Sequence, residues 1–446
     1  MENNRVAEFI KNPKKALYIL SAPVIVAMFV QTMYNIVDTA FVGRLGAGAI
    51  AALTFAFPIF FILISINAGL SIGMGSRISR LLGANQKEEA ENTALHGIII
   101  STILAIILTA IGLLTLKPMF LLFGATEDVM KLSTDYMSII LMGMFFMFTA
   151  YVLSSIFSSQ GDTKTPMKVQ VIGLVLNGIL DPIFIYTLKL GVKGAAIATV
   201  ISFIVTMILF IYYLKKKSYL QIKLKSFKYS KTITKDIFKV GMPAAFMMLT
   251  ISIYVIFING FMAHFGTEYV AAFGLASRLE SLAIMPIVAF SLASVTLVGM
   301  FYGAKRHDLL KEISWYGIKI GVLFTIIIGV ILAAIPTIFL KIFTNDPNLL
   351  RIAAAYLRID TITFPLMAIG VMVSRITQGM GYGMPGFVIQ LARVFGGAIP
   401  LAYIFVFILG YGYLSVAVAM VLGGVISSII ALIWLNTKLK KINQNF

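Results

Sequence analysis

The stretch SAPVIVAMFVQTMYNIVDTAFVGR, residues 21–44, decides how the rest of the chain is read. It is long enough to cross a bilayer, whose hydrocarbon core needs about 20 apolar residues of helix. It carries one acid, Asp38, and no other ionisable side chain before Arg44 except the phenol of Tyr34. An acid inside a membrane helix costs about 2.5–3.5 kcal/mol to insert, so such residues usually face an internal cavity and serve an ion, a proton or a ligand. Gln31, Tyr34 and Asp38 follow at i, i+3 and i+7, which puts an amide, a phenol and a carboxylate on one helical stripe. That stripe reads as the wall of a polar pocket.

Outside this stretch the chain has the same apolar character. Of 446 residues, 59% are hydrophobic and 12% charged, with a mean hydropathy of +0.96. Apolar runs long enough to span recur at approximately 17–42, 49–76, 92–115, 131–157, 167–187, 193–214, 240–264, 270–298, 315–338, 352–377, 386–409 and 412–436. The runs are continuous, not alternating with period two, which excludes a barrel and predicts an all-α polytopic membrane protein with twelve transmembrane helices. The first run lacks a small-residue cleavage site and reads as the first span.

The net charge of +18 is concentrated in loops, and nine of the lysines lie between Lys215 and Lys239. Every second loop is basic, the positive-inside pattern with an added attraction to lipid headgroups, and this distribution argues against a nucleic-acid partner. Both termini are therefore expected in the cytoplasm, with the loops near Gly43, Thr126, Lys189, Gly266, Asp346 and Tyr411 outside. The absence of cysteine excludes disulfides and thiol chemistry.

An internal repeat is visible. Pro23 matches Pro243, Gly46 matches Gly266, Ala51-Ala52 matches Ala271-Ala272 and Gly83-Ala84 matches Gly303-Ala304, all 220 residues apart. Gln160-Gly161 matches Gln378-Gly379 at 218 and Pro166 matches Pro385 at 219. Six spans per repeat give both halves the same orientation, so they form two lobes about a pseudo-twofold axis normal to the membrane, with a cleft between them. The expected organisation is an N-terminal lobe over 1–214, a basic cytoplasmic linker over 215–239 and a C-terminal lobe over 240–446. The end of the linker, KYSKTITKDIFKVGMP, suits a helix lying on the inner membrane surface, or a plain tether with an orientation signal.

A second intramembrane acid, Asp181, stands in GLVLNGILDPIFIY with Asn177 one turn away on its face, and Pro182 frees a backbone carbonyl one turn back. Asp38 and Asp181 both fall in the outward halves of their spans, so they are expected at one depth and in one coupled site; the alternative is that each is tied off as packing glue. The second half has Ile258 and Pro400 at the aligned places. It carries instead Arg278 and Glu280 inside span eight, with Glu280 a secondary candidate, and Arg358 and Asp360 toward the outer end of span ten, where Asp360 reads as an interfacial charge. His96, His264 and His307 form no ligand spacing, so no metal site is expected. No GxxxxGK[ST] motif occurs, so ATP is not the direct energy source, and no cofactor is expected. The 23 methionines and 34 phenylalanines read as packing and lipid-facing residues, some of them lining an adaptable cleft.

The runs QTMYNIVDTAFVGRLG (31–46), GANQK (83–87), QGDTKTP (160–166), LNGILDPIFIY (176–186) and GVKGAAIAT (191–199) resemble the MATE family of multidrug and toxic compound extrusion transporters, most of all its DinF-related prokaryotic branch. The resemblance implies the MATE/MOP fold in a multi-pass protein of the cytoplasmic membrane, here read as a monomer. It also implies an antiporter, not an enzyme, that exports cationic or amphipathic drugs or toxins in exchange for H+ or Na+. Carried over, Asp38 is the cation-coupling acid, Asn177, Asp181 and Thr199 complete its site, Gln31 and Tyr34 line the cavity beside it, and Pro23 marks where the first helix bends. The acidic pair that NorM-type relatives carry in spans seven and ten is missing; Phe257, Ile258 and Met367 stand there. Two other readings are open: a lipid-linked oligosaccharide flippase of the same superfamily, which needs arginines for a pyrophosphate, and an intramembrane aspartyl protease, which needs a GxGD setting that neither VDT nor LDP supplies.

Overall fold

A computed structural model describes residues 4–444, all of whose regular elements are helices. Ten single helices are long and apolar enough to cross a membrane, from Pro13–Gly43 to the helix beginning at Leu414. Two further spans are broken: Glu127–Met142 with Met144–Ser159, bent by 51°, and Pro347–Asp360 with Thr363–Gly379, bent by 50°. With each bent pair taken as one span, the twelve expected spans are present.

Large apolar side chains stand exposed in mid-helix, among them Leu114 and Ile433. In water such a surface would be a liability; hydrocarbon is the solvent it matches. The buried side chains instead include Ser65, Ser76, Ser101, Thr206, Ser294 and Thr325. Small hydroxyl residues let helix backbones approach closely where lipid offers no hydrophobic drive to associate.

By packing, the chain separates into two compact units. The first holds Ala22–Gly241; the second holds Ala7–Ser21 together with the chain from Met242 onward. The divisions fall one residue before Pro23 and Pro243, each of which lacks the amide that would bond back into its helix. The segment read as a plain tether, or as a surface helix, is neither. Residues from Lys231 are the first turns of the seventh span, Lys231–Ala263, and bury Ile233 and Ile237 among Leu70, Met74, Ile78 and Phe210 of the first unit. In the second unit the core gathers around Phe273, Tyr356, Phe364 and Met420.

Turn geometry repeats with the sequence. Gly46 (φ 106°) and Gly266 (φ 128°) start the second and eighth spans, and Asn85 (φ 59°) and Lys305 (φ 57°) take the left-handed turn after them. The structure corrects one alignment: left-handed Gly161 corresponds to left-handed Gly381, 220 residues on, so the match of Gln160-Gly161 to Gln378-Gly379 is a two-residue slip. Hydrogen bonds agree, with Asp162 N–H donating to Phe157 O and Tyr382 N–H to Thr377 O.

Candidate functional site

The site is built within the first unit from spans one, four, five and six. Span five runs as an α-helix from Lys164 to Pro182 and continues as a wider π-type turn over Ile183–Thr187. Pro182 cannot donate to the carbonyl one turn back, and the widened turn follows at that point. Asn177 and Asp181 are both buried, on the inward face of this helix. The Asn177 amide Nδ2 donates to Asp181 Oδ1 at 3.0 Å. Across from them the Tyr34 hydroxyl donates to Asn177 Oδ1 and lies 3.4 Å from Asp181 Oδ2.

Asp38, one turn beyond Tyr34, is half-buried and within side-chain reach of both Asp181 and Tyr34. Thr199 of span six reaches the Tyr34 hydroxyl and donates from its own to Ala195 O at 3.0 Å. The structure thus brings Tyr34, Asp38, Asn177, Asp181 and Thr199 together. No lysine or arginine faces the two carboxylates among the described residues. Such a pair, set in low dielectric and uncompensated by the protein, asks for a cation.

Gln31 is exposed and opens into a cavity of about 130 Å³ that Asn177 also lines. Its walls are Met147, Tyr151, Leu174, Phe203 and Phe210, with polar points at Ser154, Gln170, Ser202 and Thr206. The cavity and the carboxylate pair therefore share a wall through Asn177.

One member of the cluster is not named by sequence reasoning. Tyr136, on Glu127–Met142, lies in electrostatic reach of both Asp38 and Asp181. The available signal was a phenol inside STDYMSIILM, which looks like any interfacial tyrosine until the fold turns it inward.

The second unit differs. Glu280 is half-buried, and Asp360 is buried instead of standing at the interface as expected. The Asp360 residue closes the helix just before the break in span ten, where its Oδ1 accepts from the Thr363 hydroxyl at 3.3 Å. Arg393 interacts with both acids and lies 5.2 Å from the Tyr254 ring centre. Arg278 points to Phe343, and Arg358 donates to Ala333 O at 3.3 Å, so neither closes on the acid two residues away. Here a guanidinium stands among the carboxylates, as it does not in the first unit.

The MatE family pattern matches residues 23–183 and again 243–404, once in each half and in the same register. The chain belongs to the MATE family. Its relatives include the probable multidrug resistance protein YoeA of Bacillus subtilis (strain 168), 28% identical over 87% of this chain and 86% of that protein. An FAD transporter of Shewanella oneidensis is 27% identical, covering 87% of each. Among solved structures, a MOP superfamily transporter from Pyrococcus furiosus Vc1 (DSM3638) superposes with a TM-score of 0.92 at 33% identity, over 97% of both chains. Multi-pass MATE transporters of this kind have the fold described above.

Proposed function

We propose that this MATE protein is a secondary antiporter that exports cationic or amphipathic organic compounds in exchange for H+ or Na+. The observation that carries the reading is the joining of Asp38, Asp181, Asn177 and Tyr34 into one cluster without a basic partner, on the wall of an aromatic cavity. Two carboxylates with one cation between them can exchange that cation for another. Sodium would find hard oxygen ligands in Asp38, Asp181, Asn177 and Thr199, and protons would find two acids. The cavity's rings and thioether suit an organic cation, which gains from aromatic faces and adaptable Met147. That a guanidinium, Arg393, stands in electrostatic reach of both acids of the second unit, while the first unit's pair has no basic neighbour among the described residues, favours coupling through the first.

In this reading the protein works as a monomer in the cytoplasmic membrane, with both termini in the cytoplasm, lipids around it and no cofactor. A flippase for a lipid-linked pyrophosphate is disfavoured because no arginine or lysine lines the cavity that Gln31 and Asn177 share beside the carboxylates. The protease reading has no support in a family of transporters. Uptake of one fluorescent cation into proteoliposomes, with pH and sodium gradients imposed separately, tests the assignment. One gradient is expected to drive accumulation, and indifference to both would refute antiport.

A further inference from the structure

The basic segment after span six forms a structured cavity. Span six ends with Lys215, Lys216 and Lys217, and the chain then turns back against the start of span three at Lys87. Between them lies a cavity of about 540 Å³, the volume of roughly 18 waters. Four lysines line it, Lys87, Lys215, Lys216 and Lys223, with Tyr219 and Gln221, and no acid is among the lining residues.

Its wall is held by side chains with no other evident task. Buried Gln160 accepts through one oxygen from the Ser218 hydroxyl (3.1 Å), Tyr219 N–H (2.9 Å) and Leu220 N–H (3.2 Å). Glu91 accepts from Gln221 N–H at 2.7 Å and holds Lys87 at 3.7 Å, while Lys87 also stands 4.6 Å from the Tyr219 ring centre. Lys215 and Lys223 make no ion pair among the described residues. With Lys87 paired to Glu91, the ammonium groups of Lys215, Lys216 and Lys223 stand at the cavity without a carboxylate partner among the described residues, a charge that suits a phosphate as point charges do.

We infer that this cavity binds the phosphate-bearing headgroup of an anionic membrane lipid. The lipid source follows from position. Immediately along span six from the cavity, Ile208, Ile211 and Tyr212 are exposed on the helix surface, a track for an acyl chain leading straight from the lysines. Tyr212 accepts from Lys216 Nζ at 3.1 Å, placing a phenol and an ammonium where headgroup and hydrocarbon meet. A soluble phosphate compound would use the lysines and leave that apolar track without purpose.

The test is native mass spectrometry of the full-length protein with phosphatidylglycerol or phosphatidylcholine added in detergent. Wild type should retain phosphatidylglycerol in preference. The double variant K215Q/K223Q should weaken that retention roughly 30-fold, at about a fivefold share for each lysine removed from the headgroup. The control K225Q/K228Q, with equal charge loss on the same segment but outside the cavity, should match wild type. Equal losses in the two variants would overturn the inference in favour of diffuse attraction. So would equal retention of the two lipids by wild type. Glycerol phosphate that competes at the same concentration as the lipid would overturn the lipid source.

Discussion

Asp181 has both carboxyl oxygens engaged, one by the Asn177 amide and one by the Tyr34 hydroxyl, while half-buried Asp38 faces the same group with no partner of opposite charge. In the proposed mechanism this division makes Asp38 the exchanging acid and Asp181 the acid that shapes its field. Tyr34→Phe keeps the ring and removes the hydroxyl, leaving Asn177 Oδ1 without its donor. A buried acceptor left without its donor costs about 1–3 kcal/mol, so apparent affinity for the driving ion should fall roughly fivefold to a hundredfold with expression unchanged. Unaltered ion dependence of transport would show that the phenol only packs. Asp181→Asn removes one of two neighbouring charges, and the pH profile of residual transport should move because coupled acids titrate as a pair; an unmoved profile would make Asp181 a packing residue. At this scale the sequence was informative because polar residues are rare in membrane spans. Asp38, Asn177 and Asp181 stand out against apolar neighbours, whereas Tyr136 does not, since an interfacial tyrosine and a site tyrosine look alike along the chain.

Span counts and turns were legible from hydropathy and the glycine positions, because a bilayer imposes helices of fixed length. The breaks were less so. Gly143 interrupts span four without a proline, whereas the Thr361-Ile362 step of span ten stands just before Pro365, which has no amide to donate to the Thr361 carbonyl. The lysine-rich start of span seven read as a tether or a surface helix because its lysines dominate its composition. Its buried face is set by close backbone approach, which leaves only small residues as a trace. A Cβ at Gly73 would meet the Ile237 carbonyl oxygen, and one at Gly241 would lie 2.7 Å from Gly69 O. Gly73→Ala should therefore lower thermal stability by about 1–3 kcal/mol, the cost of overpacking. Gly178→Ala, whose Cβ meets nothing within 4 Å, should be neutral or add up to about 1 kcal/mol by removing backbone freedom. Melting curves of the two variants in detergent check this, and a stable Gly73→Ala beside a destabilised Gly178→Ala would contradict the packing described.

For the whole molecule, the duplication makes each half supply one proline-bearing helix that passes from one packing unit to the other, at Pro23 and at Pro243. Equal halves have since diverged in charge: the first unit leaves two carboxylates uncompensated and the second supplies Arg393 to its own. Lysine placement predicts that reporters fused after Met1, within 215–239 and after Phe446 all lie in the cytoplasm; termini on opposite sides would break the parallel-repeat arrangement. The central claim is that Asp38 ties drug movement to the driving ion. Its most direct test compares wild type with Asp38→Asn in proteoliposomes, measuring accumulation of a fluorescent cation driven by whichever gradient powers the wild type. The amide keeps volume and hydrogen-bonding capacity but carries no charge and cannot exchange an ion. The account predicts a correctly inserted Asp38→Asn protein that binds the cation yet shows no gradient-driven accumulation. Wild-type accumulation by that variant would contradict it.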